Sequence, residues 1–164
     1  MKKTVLIPTD YTIESLNVLK ALLEREAGSH TYDIILLQGI HLSDSISELL
    51  FFSRNKVTES LTNQEFESAC DVIRNKYASQ IHSIRKDIYT GFTQAAFNNY
   101  AEANNISEAY IPSSYTLLQN KKSFDLLPYI RKSKLEITEV SWNADVKMPE
   151  KGKLAELFFN NITK

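Results

Sequence analysis

Apolar residues along the chain occur either in short continuous runs or at helical spacing. Residues 5–7 and 34–37 are aliphatic runs too short for a helix, which is typical of strands buried on both faces of a parallel sheet. Between them, apolar residues recur at helical spacing over about residues 12–27. Two buried strands joined by a helix predict a βαβ unit with a right-handed crossover.

The rest of the chain continues this alternation. Further strands are predicted at residues 83–89, 107–112 and 135–140, with helices that begin near Thr62, Thr93 and Asp125. The strand at 83–89 is rich in charge, so we expect it at an edge of the sheet. The order of elements predicts an α/β fold over residues 1–142, a doubly wound parallel sheet of five strands. Residues 143–164 are predicted as an extension with a C-terminal helix that carries Leu154, Leu157, Phe158 and Ile162.

Composition narrows the classes of function. The chain has 164 residues, a formal net charge of -1 and a single cysteine, Cys70. This charge gives no field that would attract nucleic acid or an anionic membrane, and no apolar run approaches the length of a membrane span. A cysteine without an internal partner agrees with a reducing compartment, so we expect a cytoplasmic protein. Because Cys70 lies on an apolar helical stripe, we expect a buried structural thiol.

Few residues in the sequence are arranged for catalysis or for metal binding. The three histidines, His30, His41 and His82, show no metal-ligand spacing. Ser113 and Ser114 follow a strand but lie outside any G-x-S-x-G pattern. We therefore expect no enzyme and no metal site. The four glycines are scattered, whereas loops that hold phosphate with backbone amides usually need several glycines close together.

The strongest candidate for a site follows the first strand. Pro8 ends that strand, and Thr9 and Asp10 then lie just beyond its carboxyl end, where open α/β sheets place their ligands. Two interpretations of Asp10 stay open from the sequence. It is either a ligand-binding carboxylate, or a residue that hydrogen-bonds the turn and caps the following helix.

The N-terminal motif Lys3-Thr4-Val5-Leu6-Ile7-Pro8-Thr9-Asp10-Tyr11-Thr12 resembles the universal stress protein family. The resemblance continues through residues 34–37 and 100–111 and covers roughly residues 2–141. It implies a five-stranded sheet of order 3-2-1-4-5. It also implies a homodimer formed through the fifth strand, to which we add the predicted C-terminal helix as a second contact.

The same resemblance suggests a nucleotide crevice. The acid that matches Asp10 lies beside the adenine and ribose, and Ile40 matches a position whose backbone meets the base. Nucleotide-binding members carry a loop of the form G-x2-G-x9-G-(S/T) after the fourth strand. Here residues 112–123 contain no glycine; Pro112 or Ser113 and Lys122 stand where glycines are expected, and only Ser123 matches the final hydroxyl.

A second departure concerns the helix after this loop. Pro128 is tolerated only in the first turn of a helix, so we expect the helix to begin near Asp125, with Asp125 as its cap. The Asp125 carboxylate would then occupy the positive helix end that should receive phosphate. Both departures predict a degenerate nucleotide-binding loop.

The sequence therefore predicts a non-catalytic stress-response or interaction protein that has lost ATP binding and has no cofactor. The alternative is a protein that binds ATP, AMP or another small ligand through Thr9, Asp10, Ile40, Ser113 and Ser123. Three roles are open for the apolar group at residues 46–52: packing in the core, a lid over a site, or a subunit contact.

Overall fold

The computed structural model describes residues 1–25, 28, 30–42, 49–50, 52–142 and 162–163. The strands are β1 (Lys2–Pro8), β2 (Thr31–Ile40), β3 (Ile81–Tyr89), β4 (Glu108–Pro112), β5 (Ser123–Phe124), β6 (Glu136–Trp142) and β7 (Ile162–Thr163). The long strands form a parallel sheet of order β3-β2-β1-β4-β6, which confirms the predicted order 3-2-1-4-5 with β6 as the fifth strand. Two short strands were not predicted: β5 pairs antiparallel with β2, and β7 pairs antiparallel with β6.

Helices cover both faces of the sheet. A 3₁₀ turn at Glu14–Leu16 leads into α1 (Asn17–Arg25), and the other helices are α2 (Arg54–Leu61), α3 (Gln64–Lys76), α4 (Gln94–Ala103) and α5 (Leu127–Arg131). The predicted helical cap at Thr62 lies one residue further along, because the Asn63 side chain accepts the Phe66 N–H at 2.8 Å. None of the helices in the described part of the chain is long and apolar enough to span a bilayer.

Strand β1 supplies side chains to both cores. Val5 and Ile7 pack on one face with α1 and α3, whereas Leu6 packs on the other face with α4 and α5. All three are essentially inaccessible to solvent, which confirms the prediction of a strand buried on both sides. Cys70 belongs to the α1–α3 core, and burial raises the pKa of its thiol to about 12, as a structural cysteine requires.

Two sequence predictions about surface segments have different outcomes. Leu49 and Leu50 are 44% and 75% exposed, so these two residues do not pack in the core, while Phe51 lies outside the described residues. Residues 143–161 also lie outside them, so the helix expected there stays a prediction. Ile162, which we expected at the end of that helix, instead belongs to strand β7.

At the amino end of the sheet, Asp33 ties together three strands. Its Oδ1 lies 2.6 Å from both Ser83 Oγ and His82 Nδ1 of β3, and its Oδ2 lies 3.1 Å from Lys2 Nζ of β1. Burial opposes ionisation of Asp33, but hydrogen bonds from Ser83, His82 and Lys2 outweigh it and lower its pKa to about 2.

We expect this cluster to give a pH-dependent contribution to stability. Because the folded-state pKa of Asp33 lies below its ordinary value of 3.8, the contribution is fully present above that value and is lost as pH falls toward about 2. Asp33→Asn should lower the free energy of unfolding by about 1 kcal/mol at neutral pH, since Lys2 and His82 are largely exposed. Urea titrations at neutral pH and near pH 2 measure the free energy of unfolding of the native chain and of Asp33→Asn, with Asp71→Asn as control. A cost that is unchanged in acid would contradict it.

Candidate functional site

Asp10 lies just beyond β1, at the point where the sheet continues to β2 on one side and to β4 on the other. Its Oδ1 accepts hydrogen bonds from the backbone N–H and the hydroxyl of Thr12, at 3.1 and 2.5 Å. Tyr11 between them has a φ of 60°, the left-handed conformation that such a tight turn requires. The turn interpretation of Asp10 is therefore realised in the structure.

The second carboxylate oxygen of Asp10 is bound by the loop that follows β4. The Tyr115 hydroxyl donates to Oδ2 at 2.6 Å, and the Leu118 N–H donates to it at 2.9 Å. Each Asp10 oxygen thus accepts two hydrogen bonds from the chain itself. The loop after β4 therefore supplies two of the four donors to the carboxylate of Asp10, which is partly exposed.

Tyr115 is fixed on several sides. Its hydroxyl lies 3.1 Å from Thr12 Oγ1, and its ring packs against Trp142 with centroids 5.6 Å apart and planes inclined by 31°. Burial and the adjacent Asp10 carboxylate raise the pKa of Tyr115. The hydroxyl therefore remains a hydrogen-bond donor to Asp10 at neutral pH.

Trp142 connects this loop to the start of the first helical segment. The indole Nε1–H donates to Glu14 Oε1 at 2.6 Å, and both residues are at least 95% buried. A buried carboxylate is costly unless it is hydrogen-bonded, so this bond holds the end of β6 firmly against the 3₁₀ turn. Asp10, Tyr115, Trp142 and Glu14 form one continuous set of contacts, which we call the Asp10 latch.

Thr9 precedes Asp10, and its polar groups are used within the fold. The Thr9 N–H donates to the Leu37 carbonyl at 2.9 Å, and Thr9 Oγ1 accepts the Tyr11 N–H at 3.1 Å. The same oxygen lies 3.1 Å from Ser15 Oγ. Thr9 is 4% exposed, so its contacts stabilise the turn that carries Asp10.

Ile40 and Ser123, far apart in sequence, come together in the structure. They are directly paired where β5 adds to the end of β2, and the neighbouring His41 N–H donates to the Lys122 carbonyl at 2.6 Å. Ser123 Oγ accepts the Asn120 N–H at 2.8 Å. The backbone at the end of β2, which the resemblance places against a base, is thus paired with the chain's own β5.

Ser113 and its neighbour Ser114 attach the loop to β6. Ser113 donates its N–H and its hydroxyl to the Val140 carbonyl, at 2.8 and 3.1 Å. Ser114 Oγ both donates to the Trp142 carbonyl and accepts the Trp142 N–H, each at 2.9 Å. These hydroxyls act as backbone partners for β6, so Ser113 lies near the crevice without being directed at a ligand.

The helix after the loop begins close to the predicted residue. Helix α5 starts at Leu127 with Pro128 in its first turn, and Asp125 Oδ1 accepts the Leu127 N–H at 3.0 Å. The cap position itself is Leu126, one residue after Asp125. The Asp125 carboxylate therefore lies at this helix end, as expected from the sequence.

An opening remains between the Tyr115 loop and α5. It is a cavity of about 570 Å³ lined in part by Ser113, Tyr115 and Gln119. Arg131 and Glu139 form an ion pair of 2.7 Å on its wall. Among the described residues, no group of three or more His, Cys, Asp or Glu side chains is arranged to hold a metal ion.

Comparison with solved structures relates this architecture to known proteins. The chain superposes on the hypothetical protein MJ0577 with a TM-score of 0.52 and 19% identity, over 87% of this chain and 98% of that one. For the universal stress protein UspA from Lactobacillus plantarum the TM-score is 0.51 and the identity 10%, over 84% and 96% of the chains. For the universal stress protein family member At3g01520 from Arabidopsis thaliana, solved with AMP bound, the TM-score is 0.51 and the identity 9%, over 87% and 94%.

The chain has the universal stress protein fold. No family model matches the sequence, and no match is found among curated proteins. The similarity to these proteins is therefore a similarity of structure. The N-terminal motif and the order of strands predicted this fold from the sequence, and the superpositions confirm it.

Sequence reasoning missed the residues that join Asp10 to the rest of this universal stress protein fold. Tyr115, Trp142 and Glu14 make the decisive contacts, and Leu118 contributes through its backbone. A usable signal was present: Tyr115 is the only aromatic residue of the glycine-free stretch 113–122, and Trp142 is the only tryptophan of the chain. Neither observation by itself identifies the partner of the side chain.

Proposed function

We propose that this chain is a cytoplasmic, non-catalytic protein of the universal stress protein fold that has lost ATP binding and acts in a stress response through contacts with other proteins. The observation that carries the proposal is the Asp10 latch. Both oxygens of the carboxylate that would face a nucleotide are hydrogen-bonded by Thr12, Tyr115 and Leu118. The glycine-free loop supports it further, because its backbone is shaped to bind Asp10, β6 and β2.

Exposed apolar side chains support a role in protein contacts. Leu50 is 75% exposed and Phe92 84% exposed, and each lies in a connection beyond the carboxyl end of a sheet strand. Because β2 and β3 are neighbouring strands, both connections lie at the same end of the sheet, where contiguous exposed apolar groups would mark an interaction surface. A homodimer through β6 is part of the proposal. Because β7 already pairs with Ser141 and Trp142, a second copy of the chain would pair with residues 136–140 of β6. Light scattering tests this, and a single monomeric species would contradict the dimer.

Adenine nucleotides give the direct test of the lost site. In calorimetric titrations with ATP and AMP at millimolar concentration, we expect no saturable heat from the native chain, because binding would have to displace the Tyr115 and Leu118 donors. The titration is repeated with Asp10→Ala, and with Asp71→Ala as a matched exposed carboxylate. Saturable binding to the native chain that Asp10→Ala abolishes and Asp71→Ala preserves would overturn the proposal.

That outcome would instead favour the second candidate function, a small-ligand-binding protein. Two observations support it: the similar Arabidopsis thaliana structure contains AMP, and a cavity of about 570 Å³ adjoins Tyr115. In this alternative, Thr9, Asp10, Ile40, Ser113 and Ser123 surround the ligand after the Tyr115 loop moves away. The closed geometry favours the first proposal, in which no nucleotide cofactor is held.

A further inference from the structure

A second concave site lies beside the cavity at Tyr115 and shares Asp125 with it. It is a cleft of about 480 Å³ that we call the aromatic cleft, and its lining residues are His41, Gln94, Phe124, Asp125, Pro128, Tyr129 and Lys132. Phe124 and Tyr129 pack against the α4–α5 core, whereas Tyr115 and Trp142 pack with the α1–α3 core. The volume lies in the range of small-molecule sites.

The apolar floor of the aromatic cleft is preorganised. Phe124 lies so close to the backbone of Gly39 that a Cβ there would come within 2.7 Å of its ring. The Phe124 ring is flanked by Tyr129 at 6.1 Å and by His41 at 4.8 Å between centroids. Tyr89 packs behind it at 6.2 Å. The rings therefore offer a fixed aromatic surface to a planar group, at little cost in side-chain entropy.

Two opposite charges in this cleft have no ion-pair partner in the described part of the chain. Asp125 uses Oδ1 for the Leu127 N–H, and its Oδ2 makes no hydrogen bond to a described residue. Lys132 forms no ion pair with a described residue either. The two residues are seven positions apart, on either side of α5, and both exposed side chains line the same cleft.

We infer that the aromatic cleft binds a small zwitterionic aromatic molecule of the α-amino-acid class. Its ring lies against Phe124 and Tyr129, its ammonium group pairs with Asp125, and its carboxylate pairs with Lys132. Charges of both signs beside an aromatic floor favour a zwitterion, because an anion alone would leave Asp125 unpaired and repelled. The cleft adjoins the alternative small-ligand site, since Asp125 lines both cavities and His41 and Phe124 neighbour Ile40 and Ser123, but it contains no residue of the Asp10 latch.

Titration of the complete chain with L-phenylalanine and L-tryptophan tests the inference, with binding followed by calorimetry and by ligand-observed NMR. We expect saturable binding of both probes, and binding at least about tenfold weaker for phenylacetate, which lacks the ammonium group, and for phenethylamine, which lacks the carboxylate. L-leucine should also bind more weakly, since it cannot stack on Phe124 and Tyr129.

Variants then assign the contacts. Asp125→Asn retains an acceptor for the Leu127 N–H, so the fold is preserved, and Lys132→Gln changes an exposed side chain. Each should weaken L-phenylalanine binding by about tenfold, whereas Lys134→Gln, an exposed lysine outside the cleft, should leave it unchanged. Absence of saturable binding at millimolar concentration, or equal affinity in all three variants, would overturn the inference.

Discussion

Replacing Asp10 with alanine is expected to lower the free energy of unfolding by about 3 kcal/mol. The carboxylate accepts four hydrogen bonds, two from Thr12 and one each from Tyr115 and Leu118. Bonds to a charged acceptor are the stronger class, and the half-buried Tyr115 hydroxyl keeps only Thr12 Oγ1 as a hydrogen-bonding neighbour. Water reaches Thr12 and Leu118 and can accept the hydrogen bonds that Asp10 no longer accepts. The expected cost is therefore smaller than the sum of four hydrogen bonds.

Urea unfolding measures this cost as a lower midpoint with an unchanged slope. Asp71→Ala is the matched control, since Asp71 is exposed and pairs only with Arg74 one helical turn away, and its cost should stay within about 0.5 kcal/mol. A carboxylate kept for ligand binding is often held against stability, so its removal is neutral or stabilising. A neutral or stabilising Asp10→Ala would therefore contradict the Asp10 latch and favour a ligand site.

Those parts of the fold that depend on local pattern were predictable from the sequence. The buried run at residues 5–7 and the requirement of Pro128 for a first helical turn both specify structure within a few neighbouring residues. The order of long strands followed from the βαβ alternation and the family resemblance together. The position of Asp10 just beyond the carboxyl end of β1, a topological switch point, was predictable as well.

The closure of the site depends on contacts that no local pattern contains. Tyr115 meets Asp10 across 105 positions of the sequence, and Trp142 meets Glu14 across 128. The loop that carries Tyr115 has no periodicity because its conformation is set by these distant partners. Strands β5 and β7 have two residues each, too few for an alternation of apolar and polar positions to be seen.

Trp142→Phe is expected to lower the free energy of unfolding by about 3 kcal/mol. The lost hydrogen bond should account for more of this cost than the lost side-chain volume. Phenylalanine keeps an aromatic ring against Tyr115 but removes the Nε1–H that donates to Glu14 at 2.6 Å. The Glu14 side chain is 5% exposed, so water does not readily replace that donor. Most of the expected cost therefore comes from the buried Glu14 carboxylate, which loses a hydrogen-bond donor.

A double-mutant cycle with Glu14→Gln separates the hydrogen bond from packing. Glutamine keeps an acceptor for the indole while removing the charge, so Glu14→Gln alone should cost about 1 kcal/mol. In the Trp142→Phe background the same change should be near neutral, because the indole donor is already gone, which gives a coupling of about 1 kcal/mol. Unfolding must be followed by circular dichroism, since Trp142 is the only tryptophan. Additive costs within about 0.5 kcal/mol would show that Trp142 stabilises the chain by packing alone, and that the Glu14 contact contributes nothing to the Asp10 latch.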